Sequence, residues 1–211
     1  MTTSESGSPP GLGFLTVLEH DQLGLVGGYL VLNVHGRPLE FHCTAPVKAN
    51  RAQQILFGPT LDSYLYGEQI GQTLLGKCSL ELLGVCTDVE RALSVREYVS
   101  LPVSLVLTDS AAVDGHSAIG APTTNADETA ADHPGLTTGA GPVWRVDAAH
   151  RAAPHLCEFS IGANRLAVPA HRQDDRETIT GRLENLGEFD LAEPFQRIRQ
   201  AVEEAHRSGR A

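Results

Sequence analysis

The sequence predicts an α/β (or α+β) protein: a mixed sheet built from two β-hairpins plus central strands, packed by four to five helices and carrying a long disordered insert. Three observations carry this reading. Residues 27–44 hold two apolar runs around a turn at His35-Gly36-Arg37-Pro38. The return run alternates, with Leu39, Phe41 and Cys43 on one face and Glu40, His42 and Thr44 on the other, the period of two that a half-buried strand requires. A second run, 155–168, turns at Gly162-Ala163-Asn164 and alternates Cys157, Phe159 and Ile161. Between the two, strand, helix and strand follow one another over residues 80–107, the length of a βαβ unit, which makes part of the sheet parallel.

The elements follow in order. Residues 1–12 are small and polar and form a tail with little to bury. Residues 14–20 are the first strand, and 21–28, with glycines at 24, 27 and 28, turn the chain into the first hairpin. That glycine cluster leads into a strand and lacks the Lys and Ser/Thr of a phosphate loop, so it reads as a turn. Asn50 caps a helix over 50–57 that Gly58-Pro59 stops, and a second helix runs from Thr60 to near Gly76. Residues 80–86 form a buried strand, Asp88 caps a short helix to Glu97, and 101–107 form another strand. Residues 108–142 have five acidic residues (Asp109, Asp114, Asp127, Glu128, Asp132) and neither Lys nor Arg, the composition of an exposed acidic insert or linker. Structure resumes at 143–146. A helix covers 174–186, and the last one starts at Asp190, where Glu193 completes a capping box. Residues 13–107 and 143–211 are expected as two parts of one domain, with two domains joined by a linker as the alternative.

Composition narrows the function. The 211 residues carry a formal charge of −10, with Lys only at positions 48 and 77. An acidic chain without a basic cluster makes few phosphate contacts, which argues against nucleic-acid binding. The N-terminus lacks the basic and apolar regions of a secretory leader, and no apolar run approaches the roughly 20 residues that span a bilayer. A cytoplasmic protein off the membrane is the expectation, and its four cysteines, Cys43, Cys78, Cys86 and Cys157, are expected as thiols.

Three places could hold chemistry. Cys43 next to His42 suggests a nucleophile and its base, but neighbours on a strand point to opposite faces, so His42 cannot serve Cys43 while the strand stays regular. Cys43, His155 and Cys157 could contribute to tetrahedral zinc, although no C-x₂-C pair supports it. Lys48, Asn50 and Arg51 stand at a helix start with Glu68 in the next helix, an arrangement that suits an anionic ligand. No cofactor is expected.

The function this favours is a non-catalytic cytosolic interaction or regulatory module. Its docking surface is expected on the last helix, where Leu191, Phe195, Ile198 and Val202 form one apolar stripe for a protein partner or for self-association. The alternative is a small-molecule enzyme or binding domain for an anionic ligand, with Cys43 as a thiol.

Overall fold

The computed structural model describes residues 10–108, 155–186 and 188–208. The insert read at 108–142, apart from Thr108, and the resumption read at 143–146 lie outside the described residues. A seven-stranded mixed sheet takes strands from both sides of that stretch, in the order β3-β2-β1-β4-β5-β7-β6. The strands are β1 (Gly11–His20), β2 (Gly24–Leu32), β3 (Pro38–Cys43), β4 (Leu82–Thr87), β5 (Val103–Leu107), β6 (Leu156–Ile161) and β7 (Asn164–Pro169). The strand read at 14–20 therefore begins inside the segment read as tail.

Strands β1, β4 and β5 are parallel, while β2, β3, β6 and β7 enter through antiparallel pairings. The βαβ reading of 80–107 holds, as does each hairpin. The helices are α1 (Arg51–Phe57), α2 (Ser63–Gln72, extended by Thr73–Leu75), α3 (Glu90–Glu97), α4 (Gln173–Leu183) and α5 (Glu193–Ser208). Because parallel strands are joined by crossovers that lie on the sheet faces, two helical layers form. Leu15, Val17, Tyr29, Val31, Val85 and Val103 meet α2 and α3 on one face. Phe14, Leu30, Leu32, Cys86, Leu166 and Val168 meet α4 and α5 on the other.

The stripe on α5 is used inside the chain. Leu191, Phe195, Ile198 and Val202 are all at most 2% exposed, and Phe195 meets Phe14 edge-on at 5.6 Å between ring centroids. The docking surface expected there is instead the cover of β1 and β2. An isolated helix shows the same stripe whether it faces a partner or its own sheet, so periodicity could not separate the two.

Gly24 closes the turn into β2 with a φ of +94°, as read, but Gly27 and Gly28 lie within the strand and are not turn residues. A Cβ on Gly27 would stand 2.2 Å from Ile70 Cγ2, and one on Gly28 would stand 2.3 Å from Ile198 Cγ2. Successive strand residues face opposite sides, so these two glycines let α2 and α5 approach one strand from both faces. The same device recurs between α2 and α3, where a Cβ on Gly71 would stand 2.5 Å from Val95 Cγ2. Over Ser63–Gln72 the helix is wound in wide π turns, which its side-chain spacing did not announce.

Local side chains hold the connections. In the first hairpin Asn33 Oδ1 accepts from the backbone N–H of His35 and Arg37, each at 3.0 Å. In the second, Asn164 Nδ2 donates to the carbonyl of Phe189 at 2.7 Å while its Oδ1 accepts from the N–H of Leu191 at 2.9 Å, which seats the start of α5. The last helix begins at Glu193 rather than at Asp190, and Asp190 accepts from the N–H of Ala192 in the turn ahead of it. Glu193, however, grips Arg197 Nε at 2.8 Å and 2.9 Å rather than closing a capping box. Asp88 does not cap α3: the residue before that helix is Val89, and Asp88 pairs with Arg199 of α5. An ion pair to another element outcompetes a local cap because it compensates a buried carboxylate, here 6% exposed.

Candidate functional site

Parallel strands gather polar side chains beyond their carboxyl ends, where an α/β sheet usually binds ligands. Here Glu19 at the end of β1, Asp62 and Tyr66 around the start of α2, and Arg91 of α3 form one network. Tyr66 Oη donates to Glu19 Oε1. Arg91 Nη1 donates to Glu19 Oε1 at 3.0 Å and to Tyr66 Oη at 3.2 Å, and its Nε reaches Asp62 at 3.4 Å. Burial, then the Glu19 hydrogen bond, pushes the Tyr66 phenol up from 10.0 to about 12, with Arg91 pulling the other way. The phenol is therefore protonated at neutral pH and acts in the network as a hydrogen-bond donor to Glu19.

Beside it opens a cavity of about 500 Å³, within the size range of small-molecule sites. Its charges balance: Asp62, Glu90 and Glu97 line it with Arg91, Arg96 and Arg172. Two of the guanidiniums are already engaged, Arg91 in the network and Arg96 with Asp175, where Nε and Nη2 meet the carboxylate at 2.7 Å and 3.0 Å. Arg172 and His171 make no side-chain hydrogen bond or ion pair among the described residues.

The residues singled out from the sequence do not assemble. Neither this cavity nor a second one beside Val34 and Phe189 is lined by Lys48, Asn50, Arg51 or Glu68. Asn50 is spent on a capping box: its Oδ1 accepts from Gln53 N–H at 2.8 Å and its own N–H donates to Gln53 Oε1 at 3.0 Å. Arg51 is exposed and donates to Gln54 Oε1 at 3.5 Å. Asn50→Ala is expected to cost about 1 kcal/mol, the usual worth of a cap, read as a lower urea midpoint with no change in slope.

Cys43 and Cys157 occupy opposite edges of the sheet. Six strand spacings of about 4.8 Å separate them by roughly 29 Å, so Cys43, His155 and Cys157 cannot share an ion. Among the described residues no group of three His, Cys, Asp or Glu side chains is placed to hold a metal. His42 and Cys43 do point to opposite faces. Cys43 packs on the α4 and α5 side, while His42 pairs with Glu40 at 3.3 Å, across from Tyr29 on the α2 side.

A second polar cluster gathers on that side. Tyr29 is fully buried, and burial first, with Cys78 and Glu40 after it, pushes its phenol up. Burial first, and Glu40 after it, pushes the Cys78 thiol up. Burial alone pushes Cys86 up from 9.0 to about 12, with Ser104 opposing. These shifts run opposite to those of a nucleophilic thiolate. Compared with family models, with curated proteins and with solved structures, the chain matches none.

These raised values predict an alkaline limit. The unfolded chain ionises Cys86 from about pH 9 and Tyr66 from about pH 10, whereas the folded chain holds both protons to about pH 12. The unfolded state then binds fewer protons, and stability falls as pH rises through that interval. The urea midpoint should stay level up to about pH 9 and decline above it, less steeply in Cys86→Ala. An unchanged decline in that variant would remove Cys86 as a cause.

The network, the Arg96–Asp175 pair and the Tyr29 cluster were all missed from the sequence. Their members lie 47, 72 and 79 positions apart in the pairs Glu19–Tyr66, Glu19–Arg91 and Arg96–Asp175, and no local pattern links residues at such distances.

Proposed function

We propose that this chain is a non-catalytic protein-interaction module of the cytoplasm, one folded unit that docks through its first hairpin edge and α1. One observation carries the reading. The large hydrophobic side chains exposed among the described residues are Val34, Leu39, Phe41, Ile55 and Leu56, so all of them fall between positions 34 and 56. Ile55 and Leu56 are 66% and 82% exposed on a helix that buries none of its residues. Leu39 and Phe41 share one face of β3, and Ile55 and Leu56 are neighbours on α1, so each pair forms a local apolar surface of the kind that marks an interaction site. Among the described residues no helix is long and apolar enough to cross a membrane.

The test is a photo-crosslinking residue at Leu56, another at Phe41 and a control at the exposed Glu177 of α4, in the full chain in its own cell extract. Defined protein adducts from 56 and 41 but not from 177 are expected. Silence at 56 and 41, or identical adducts from all three positions, would sink the reading.

A second reading rests on the cavity, where Arg172 and His171 are available to an anionic ligand. A thermal-shift panel of phosphates and carboxylates tests it, since a ligand at 100 times its Kd adds about 2.7 kcal/mol to stability. A shift that disappears in Arg172→Ala supports a ligand site there, and no shift across the panel removes it.

A further inference from the structure

We infer that β3 pairs antiparallel with β3 of a second copy of this chain, centred on Phe41, which joins the two sheets into one. The inference rests on reading the first hairpin as part of the docking surface, and it names the partner. Among the described residues strand β3 ends the sheet, with β2 as its one neighbour. Thr44 N–H donates to the carbonyl of Gly27 at 2.9 Å, which sets the phase of the ladder. Alternate residues bond inward, so His42 and Glu40 face β2 while Phe41 and Cys43 direct their N–H and C=O groups to the open edge.

An antiparallel partner must place an outward-facing residue opposite another. With Phe41 against its own copy, Leu39 falls opposite Cys43 of the second chain, and Glu40 falls opposite His42 of the second chain in both directions. Glu40 and His42 already lie together on one face, 3.3 Å apart. Two chains in this register therefore alternate carboxylate and imidazole four times along the shared face. Moving the register two residues one way sets Glu40 against Glu40, and two residues the other way sets His42 against His42. A carboxylate accepts a hydrogen bond from an imidazole N–H opposite it, whereas two carboxylates repel and two imidazoles lack that acceptor, so the register centred on Phe41 is the complementary one.

The opposite face gains as well. Leu39 and Phe41 are 41% and 39% exposed, and pairing sets ring against ring and Leu39 against the thiol of Cys43. Edge strands that avoid such pairing commonly carry Lys or a bulge. Here β3 has no Lys, and its one irregularity, opposite Val31 and Leu32, lies beside Pro38 at the end of the paired stretch. A two-fold arrangement of this kind closes on itself as a dimer.

The experiment uses the full chain. Sedimentation over a range of concentrations should show a monomer–dimer equilibrium. Glu40→Lys and His42→Glu should each weaken it by about tenfold, and the exchange Glu40→His with His42→Glu should restore it. Phe41→Cys should form a disulfide dimer on mild oxidation, because hydrogen-bonded antiparallel pairs hold their Cα atoms about 5.5 Å apart, inside the disulfide range. Glu177→Cys should not, and peptide mapping should find the 41–41 link. A monomer at every concentration without that link overturns the inference, as does a dimer indifferent to both charge reversals. If adducts to another protein persist from Leu56 while the chain stays monomeric, the interaction reading survives and this inference falls. If neither adducts nor dimer appear, both fall.

Discussion

Gly28→Val lowers stability by about 3 kcal/mol, at the upper end of what forcing extra methyl groups into a filled core costs. The strand preference of valine pulls the other way by roughly 1 kcal/mol, so the sign depends on the space available. That space is absent, because even a Cβ would meet Ile198 Cγ2 at 2.3 Å and Val202 Cγ2 at 3.2 Å. Both atoms belong to side chains at most 2% exposed and held on a long helix, so relief requires α5 to move off the sheet. Gly27→Val makes the same demand on α2 through Ile70. Gly181 in α4 has nothing within 4 Å of its Cβ position, so Gly181→Ala should stabilise by about 0.5–1 kcal/mol. Urea titration of these variants checks the account. A Gly28→Val protein with the midpoint of the parent would mean that α5 does not seat on β2 as described.

Arg96→Met is the second large effect, expected at about 3–5 kcal/mol, the cost of leaving a buried charge without its partner. The Asp175 side chain is 4% exposed and Arg96 17%, so water cannot replace the guanidinium. Arg96 also donates to the carbonyl of Val99 at 2.8 Å, which fixes the exit from α3. The pair ties α3, in one helical layer, to the first turn of α4, in the other. Arg96→Met combined with Asp175→Leu should regain most of the loss, because the penalty comes from the stranded carboxylate rather than from the missing contact. A double variant as unstable as Arg96→Met alone would show that the site needs the ion pair itself. Chemical denaturation of both proteins decides it.

Much of the fold was legible because its signals are local. The alternation of 39–43 and of 157–161, the asparagine and glycine turns between the hairpin strands, and the Asn50 and Gly58 bounds of α1 each depend on neighbours within a few positions. The candidate site was not legible. Its pairs span 25 to 79 positions, and the residues that stood out in the sequence did so for local reasons: Asn50 caps its own helix, and His42 pairs with Glu40 two positions away.

Leu39 and Phe41 mark the boundary between the two kinds of information. Their alternation defined a strand with an apolar face, but only the sheet order makes β3 an edge that the helices leave uncovered. The α5 stripe shows the reverse, an apolar face that periodicity revealed and only packing could assign to the interior.

The amino-acid sequence by itself determined the strands, most helix bounds and the mixed character of the sheet, because hydrophobic period and turn chemistry act over a few residues. The tertiary structure decided which apolar faces are covered, why Gly27 and Gly28 must be glycine, and which charges meet. Those depend on the approach of elements distant in the chain, and one-dimensional spacing does not encode that approach.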